Sequence, residues 1–163
     1  MNEKEKKQKQ IQLLQQNLSS IRKIAGWTAE QLGEKIGVTK QTISNLENSK
    51  TPMNLTQYIA IRSILDYENE LNPDNTVLPK VINILVDIGA ELEEENYSEI
   101  KDTAETVAAS ASTGKTGVEL EKTYTSLLKT VPGVIGALTA LGIVLGQSKS
   151  VTETASWLKK ILK

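Results

Sequence analysis

The sequence predicts an all-α fold, and three features of the 163-residue chain support this. Apolar residues recur at spacings of three and four along most of the chain, which is the period of an amphipathic helix. Phe is absent and aromatic residues make up only 4% of the chain, so the core must rest on Ile, Leu and Val. No segment of the sequence shows a convincing strand pattern or an internal repeat.

The first predicted helix covers residues 3–25. Its apolar stripe consists of Ile11, Leu14, Leu18, Ile21 and Ala25. The lysine-rich first turns, residues 3–9, lack this stripe, so we expect them to fray or to form an arm. Gly26 ends the helix.

Two short helices joined by a tight turn follow, within residues 28–48. Thr28 caps the first, with Gln31 at the capping-box position, and Thr39 caps the second. Gly37 makes the turn between them, because glycine accepts a left-handed backbone without strain. The inward positions are Leu32, Ile36, Ile43 and Leu46, and the outward positions of the second helix are Lys40, Gln41, Ser44 and Asn45.

After a loop at residues 49–52, a helical pattern resumes over residues 53–71. The Pro- and Asn-rich segment 72–75 is the best domain boundary, which divides the chain into domains 1–72 and 73–163. Residues 77–95 read as one helix with an apolar seam at the 3.5-residue spacing of a coiled coil, over only about two heptads. Further helices are predicted over residues 98–112, 117–130, 133–147 and 150–162.

Composition excludes most enzymatic chemistry. The chain has no Cys and no His, so it lacks thiolate nucleophiles, the usual zinc ligands and the commonest general base. We therefore expect neither an enzyme nor a cofactor or metal site. The net charge of −1 hides a strong segregation. Residues 1–51 carry nine basic and five acidic side chains, residues 52–110 three and twelve, and residues 111–163 seven and three. The basic first block suits a polyanionic partner.

The two short helices meet the requirements of a helix-turn-helix motif. Gly33 stands where the helices cross, Gly37 stands in the turn, and the second helix presents short polar side chains that suit base edges. The stretch from Ile21 to Asn48 resembles the Cro-like, xenobiotic-response-element (XRE) family of phage and bacterial repressors. This resemblance covers residues 11–66, about a third of the chain, and implies a bundle of four or five helices that binds palindromic DNA as a dimer.

The resemblance also implies roles for individual residues. Lys40, Gln41, Thr42 and Asn45 would face the DNA groove, and Thr39, Asn48 and Lys50 would lie near phosphates. Arg22 and Glu47 match the family's structural ion pair. The chain departs from the family pattern at three positions: Ala29 replaces a phosphate-binding Gln, Gly33 replaces the usual Ala, and Ser49 replaces the usual Gly.

Beyond residue 72 the resemblance gives no information. The uncharged segment 130–148 is at the lower length limit of a membrane span, but a buried or dimer-interface helix is the favoured interpretation. The leading hypothesis is a cytoplasmic, sequence-specific transcription regulator, a repressor that forms a homodimer through its C-terminal helices. The alternative is an antitoxin or phage accessory protein whose C-terminal half binds a protein or peptide partner. A membrane-tethered regulator is the third and weaker option.

Overall fold

The computed structural model describes residues 1–114, 117–131, 133, 136 and 157–158. Within this part of the chain all regular structure is helical, and no strand is present, so the predicted all-α fold is confirmed. The helices are α1 (Glu3–Gln16), α2 (Leu18–Ile24), α3 (Ala29–Ile36), α4 (Lys40–Glu47), α5 (Leu55–Leu71), α6 (Val77–Ile82), α7 (Glu94–Ala111) and α8 (Gly117–Lys129). A π-helical turn (Asn83–Asp87) and a 3₁₀ turn (Gly89–Glu91) lie between α6 and α7.

The prediction of one helix over residues 3–25 is wrong, because Asn17 interrupts it. The Asn17 side chain is buried and donates to the carbonyl of Leu13 and to the hydroxyl of Tyr97 in α7, each at 2.7 Å. A side chain that bonds its own helix backbone competes with helix continuation. At the other end, Asn2 and Glu5 form a reciprocal capping box, so the lysine-rich first turns are helical and do not form a separate arm.

The prediction of one helix over residues 77–95 is also wrong. The seam side chains Leu78, Val81 and Leu85 are fully buried, but the helix widens at Asn83 and ends before α7 begins at Glu94. A Cβ on Gly89 would lie 2.9 Å from the Tyr97 ring and 3.0 Å from Leu13, so the backbone there is pressed against α1 and α7. The seam therefore packs inside the protein's own core.

That core is continuous across the predicted boundary at residue 72. One apolar cluster runs from Ile11 to Trp157, α2 packs against α7, and α1 packs against residues 83–91. Domains 1–72 and 73–163 thus share a core, and the division remains a prediction about chain organisation.

Parts of the C-terminal predictions lie outside the described residues. These are the uncharged segment 130–148, apart from four of its residues, and the helices predicted over 133–147 and 150–162. Among the helices that are described, none combines the length and apolar character needed to cross a membrane.

Candidate nucleic-acid interface

Helices α3 and α4 form the predicted two-helix motif. Thr28 accepts from the backbone N–H of Gln31, and Gln31 accepts from that of Thr28, so the capping box is present. Gly37 ends α3 with φ 76°. Thr39 caps α4 by accepting from the N–H of Thr42 at 3.2 Å. The sequence therefore predicted both N-caps and the turn between the helices correctly, since capping chemistry is local.

Gly33 fixes how closely the second helix approaches the first. A Cβ at this position would lie 2.6 Å from the carbonyl oxygen of Val38 and 3.2 Å from the carbonyl carbon of Thr39. Both are backbone atoms, so a side chain here would have to displace the turn. Glycine, in place of the family's usual Ala, thus stands where α3 contacts the start of α4 tightly.

The inner side of α4 is fixed by apolar packing and by one buried amide. Ile43 and Leu46 are fully buried. Gln15 of α1 donates to the carbonyls of Leu46 (3.0 Å) and Thr51 (2.8 Å) and accepts from the N–H of Met53 (2.8 Å). Sequence analysis missed this residue, although Gln15 stands four positions after Ile11, on the buried side of the predicted stripe.

Arg22 and Glu47 form the predicted ion pair. The Arg22 Nε donates to Glu47 at 2.5 Å, Nη2 donates to the second carboxylate oxygen at 3.2 Å, and Nη1 donates to the carbonyl of Trp27 at 2.8 Å. The pair ties the end of α4 to α2 and to the loop before α3. Both side chains are therefore used to hold these helices together.

The outward side of α4 carries the predicted contact residues. Thr39, Lys40, Gln41, Asn48 and Lys50 are exposed, whereas Thr42 and Asn45 are half-buried. Gln41 donates to the side-chain oxygen of Asn45 at 2.9 Å.

Three of these residues also bond within the motif. The Thr42 hydroxyl bonds that of Thr39 at 3.1 Å. Asn48 donates to the carbonyl of Ser44 at 2.9 Å. Lys40, Gln41 and Asn45 thus share an outward face of α4, while Thr39 and Thr42 form its cap.

The positive charge of the first block does not form one surface. Arg22 is occupied by its ion pair with Glu47. The Lys35 ammonium lies 5.0 Å from the centre of the Trp27 ring.

The lysines of α1 lie away from the end of α4. Gln10 donates to the carbonyl of Asp87 (3.3 Å), so this half of α1 lies beside the acidic middle of the chain. Gln15, further along α1, bonds the carbonyl of Leu46 in α4. Lys4 is about 16 Å from Gln15 along the helix axis, at 1.5 Å per residue. Lys40 lies on the contact face itself, and the exposed Lys50 lies just beyond the end of α4.

The departures from the family pattern have structural counterparts. Ala29, at the first position of α3, is half-buried and packs against the core, so it offers no polar group to a phosphate. Ser49 adopts φ 55°, the left-handed conformation that the usual Gly would adopt freely.

Comparison with known proteins supports this geometry. A helix-turn-helix family model of the Cro/C1 type matches residues 18–68, which begin at α2 and end within α5. Searches of curated proteins and of solved structures gave no match to the chain. Residues 18–68, about a third of the chain, therefore match a helix-turn-helix domain of the Cro/C1 type, the XRE family.

Proposed function

We propose that the chain is a sequence-specific transcription regulator of phage or bacterial type, a repressor that binds a palindromic operator as a homodimer. The observation that carries the proposal is the division of α4 into two faces. Ile43 and Leu46 lock one face into the core, whereas Lys40, Gln41 and Asn45 leave the other polar and outward. A rigid helix that presents short polar side chains suits the major groove.

Gln41 and Asn45 are proposed to read bases as a unit. Because Gln41 donates one amide hydrogen to Asn45, it keeps its carbonyl oxygen and its second hydrogen. That pair of groups matches the N6 donor and N7 acceptor of adenine. Asn45 keeps its two amide hydrogens for an acceptor such as guanine O6 or thymine O4. The bond between the two side chains also reduces the ordering that binding would require.

Thr39, Asn48 and Lys50 are proposed to contact phosphates, with Lys40 contacting a base or a phosphate. Thr39 and Thr42 lie at the N-terminus of α4, where free backbone N–H groups favour an anion. Lys50 lies just beyond the other end of the helix. Because Ala29 replaces the family's Gln, the side-chain anchor at the first position of α3 is absent, so backbone binding depends more on these contacts.

Because the proposed DNA contacts of one copy are few, we expect two copies of the chain to bind together. One helix covers only a few bases, and each phosphate contact contributes modestly at physiological salt. Two copies would double the number of base contacts and of phosphate contacts, and would place their recognition helices about 34 Å apart on the DNA. We propose that the C-terminal helices, within residues 73–163, join the two copies.

The test is selection of binding sites from random-sequence duplexes by the full-length chain. Recovery of a palindrome with half-sites one helical turn apart supports the proposal, and recovery of no enriched sequence contradicts it. On the selected duplex, Gln41→Ala with Asn45→Ala should reduce specific binding by at least tenfold and leave non-specific binding nearly unchanged.

A matched control is Gln8→Ala with Gln12→Ala, which removes two exposed amides from α1 and should leave affinity unchanged. Lys50→Gln should weaken specific and non-specific binding alike, and should lower the slope of log affinity against log salt by about 0.9. Sedimentation of the free chain as a monomer at micromolar concentration would count against the homodimer.

A further inference from the structure

A cluster of polar and aromatic side chains lies on the inner side of α5. Tyr58, Arg62 and Asp66 are spaced four residues apart, so they lie one above another on a single helix face. Tyr58 and Arg62 are almost fully buried. Placing an Arg and an Asp on a buried face is costly unless specific partners compensate them.

Asp87 fixes the orientation of the Arg62 guanidinium. Its Nη1 and Nη2 donate to the two carboxylate oxygens at 2.8 and 3.2 Å. Burial opposes the charge of Arg62, but Asp87, assisted by Tyr58 and Asp66, raises the pKa of the guanidinium above its ordinary value. Asp87 reaches this position from the last residue of the π-helical turn. One face of a charged, planar group is thereby oriented toward the space beside α5.

The indole of Trp157 occupies that space. The Arg62 guanidinium lies 5.0 Å from the centre of the indole ring, and Tyr58 meets the ring edge-on with centroids 5.9 Å apart and planes at 79°. The indole Nε1–H donates to a carboxylate oxygen of Asp66. Trp157 is 7% exposed and lies 91 residues from Asp66 along the chain.

We propose that Tyr58, Arg62 and Asp66, oriented by Asp87, form an indole-recognition site that clasps the C-terminal segment onto the helix-turn-helix domain through Trp157. Each contact uses a different property of indole. Arg62 uses the electron-rich face, Tyr58 uses the ring edge, and Asp66 uses the N–H donor. Phenylalanine lacks the donor, so the site distinguishes indole from phenyl by the Asp66 hydrogen bond.

The burial of Asp66 supports this assignment. Burial raises the pKa of Asp66, against the indole hydrogen bond and the charge of Arg62, which both lower it. A carboxylate kept in such surroundings needs a donor, and within the described part of the chain Trp157 supplies it. An apolar contact alone would be served better by an apolar residue at position 66.

The first experiment is chemical rescue of the full-length Trp157→Ala variant. Truncation should lower Tm, and free indole at ten times its Kd should raise the variant's Tm by roughly 3–6 °C while leaving that of the wild type nearly unchanged. 1-Methylindole has the same ring without the donor and should bind about tenfold more weakly or worse. Equal rescue by the two compounds, or an equal effect on the wild type, would overturn the proposal.

The second experiment keeps Trp157 in place and remains informative if Trp157→Ala fails to fold. The chain has two Trp residues, so Trp27→Phe leaves Trp157 as the sole indole. In that background Asp66→Ala should shift the emission maximum to longer wavelength and increase quenching by acrylamide. Glu70→Ala, one turn further on an exposed position of α5, is the matched control and should change neither. An unchanged spectrum in Asp66→Ala would contradict the clasp.

Discussion

Two arginine–carboxylate pairs join helices in different regions of this molecule, and their surroundings differ. Arg22 and Glu47, in the helix-turn-helix region, keep 12% and 13% of their side-chain surface exposed. Arg62 keeps only 3%, and its partner Asp87 keeps 25%. Arg22 uses Nε and both Nη atoms as donors, whereas the Nε of Arg62 has no hydrogen-bond acceptor among the described residues.

The Arg22 pair mainly orients α4, whereas Asp87 mainly compensates the burial of Arg62. Arg22 remains partly hydrated, so the pair chiefly fixes where α4 ends relative to α2. Arg62 has lost its water, so Asp87 and the Trp157 ring must replace most of that solvation. Removal of one partner should therefore cost much more at the second pair, because an uncompensated buried charge remains.

The largest effect is expected from Asp87→Ala. Since Arg62 would keep its charge without a carboxylate partner, we expect the free energy of unfolding to fall by about 3–5 kcal/mol. Urea denaturation of the full-length chain measures this. The control is the double variant Arg62→Met with Asp87→Leu, which should recover much of the loss because it removes both charges. A cost below about 1 kcal/mol for Asp87→Ala would show that Arg62 is solvated in another way.

Glu47→Ala breaks the other pair and should cost less, about 1.5–3 kcal/mol, the usual range for hydrogen bonds to charged groups. Arg22→Lys is the informative companion, because an ammonium cannot bond both carboxylate oxygens and the Trp27 carbonyl in the same fork geometry. Denaturation midpoints give the comparison. If Glu47→Ala proved more costly than Asp87→Ala, the contrast between the two regions would be reversed.

Ser49→Gly tests strain at the end of α4, two residues after Glu47. Glycine adopts positive φ without the steric cost that serine bears, so we expect a gain in stability of up to about 1 kcal/mol. The reciprocal control is Gly37→Ser, which introduces a side chain at φ 76° and should destabilise by a similar or larger amount. A loss of stability in Ser49→Gly would show that the serine side chain contributes more than its backbone costs.

The smallest effect is expected at Glu121, on the α8 side of the C-terminal region. Hydrogen bonds from Lys80 and Thr76 lower the pKa of Glu121 below its ordinary value of 4.5. A carboxylate whose pKa is lower when folded stabilises the protein above the unfolded pKa, and this contribution is lost as the pH falls through the folded pKa. Glu121→Gln should therefore be less stable than the wild type at pH 6, with the difference shrinking below about pH 4.5. Thermal melts across pH 3–6 would detect it, and a difference independent of pH would contradict the assignment.

Sequence reasoning succeeded where the controlling interactions are local. Capping by Thr28 and Thr39 and the turn at Gly37 each depend on residues only a few positions away. They can therefore be recognised in the sequence before the fold is known. The ion pair of Arg22 with Glu47 was predicted from the family resemblance, since both residues lie inside the motif. The contact roles of Lys40, Gln41 and Asn45 remain predictions, although their outward placement on α4 agrees with them.

The predictions that failed depend on distant residues. Asn17 looks like an ordinary polar position in a long helix, but when buried it also bonds the hydroxyl of Tyr97, 80 residues away. The seam beginning at Leu78 resembles the start of a coiled coil, but a π-helical turn interrupts it at Asn83, and the backbone at Gly89 then packs closely against Leu13 and Tyr97.

By itself, therefore, the sequence determined the all-α class and the helix-turn-helix, because helical periodicity and capping act over one to three turns. The tertiary structure alone decided three further points. They are the amide of Gln15 beneath α4, the compensation of Arg62 by Asp87, and the closure of Trp157 over α5. Each joins groups separated by 25 or more residues. Its free energy therefore depends on how the helices pack, and the spacing of residues in the sequence does not reveal it.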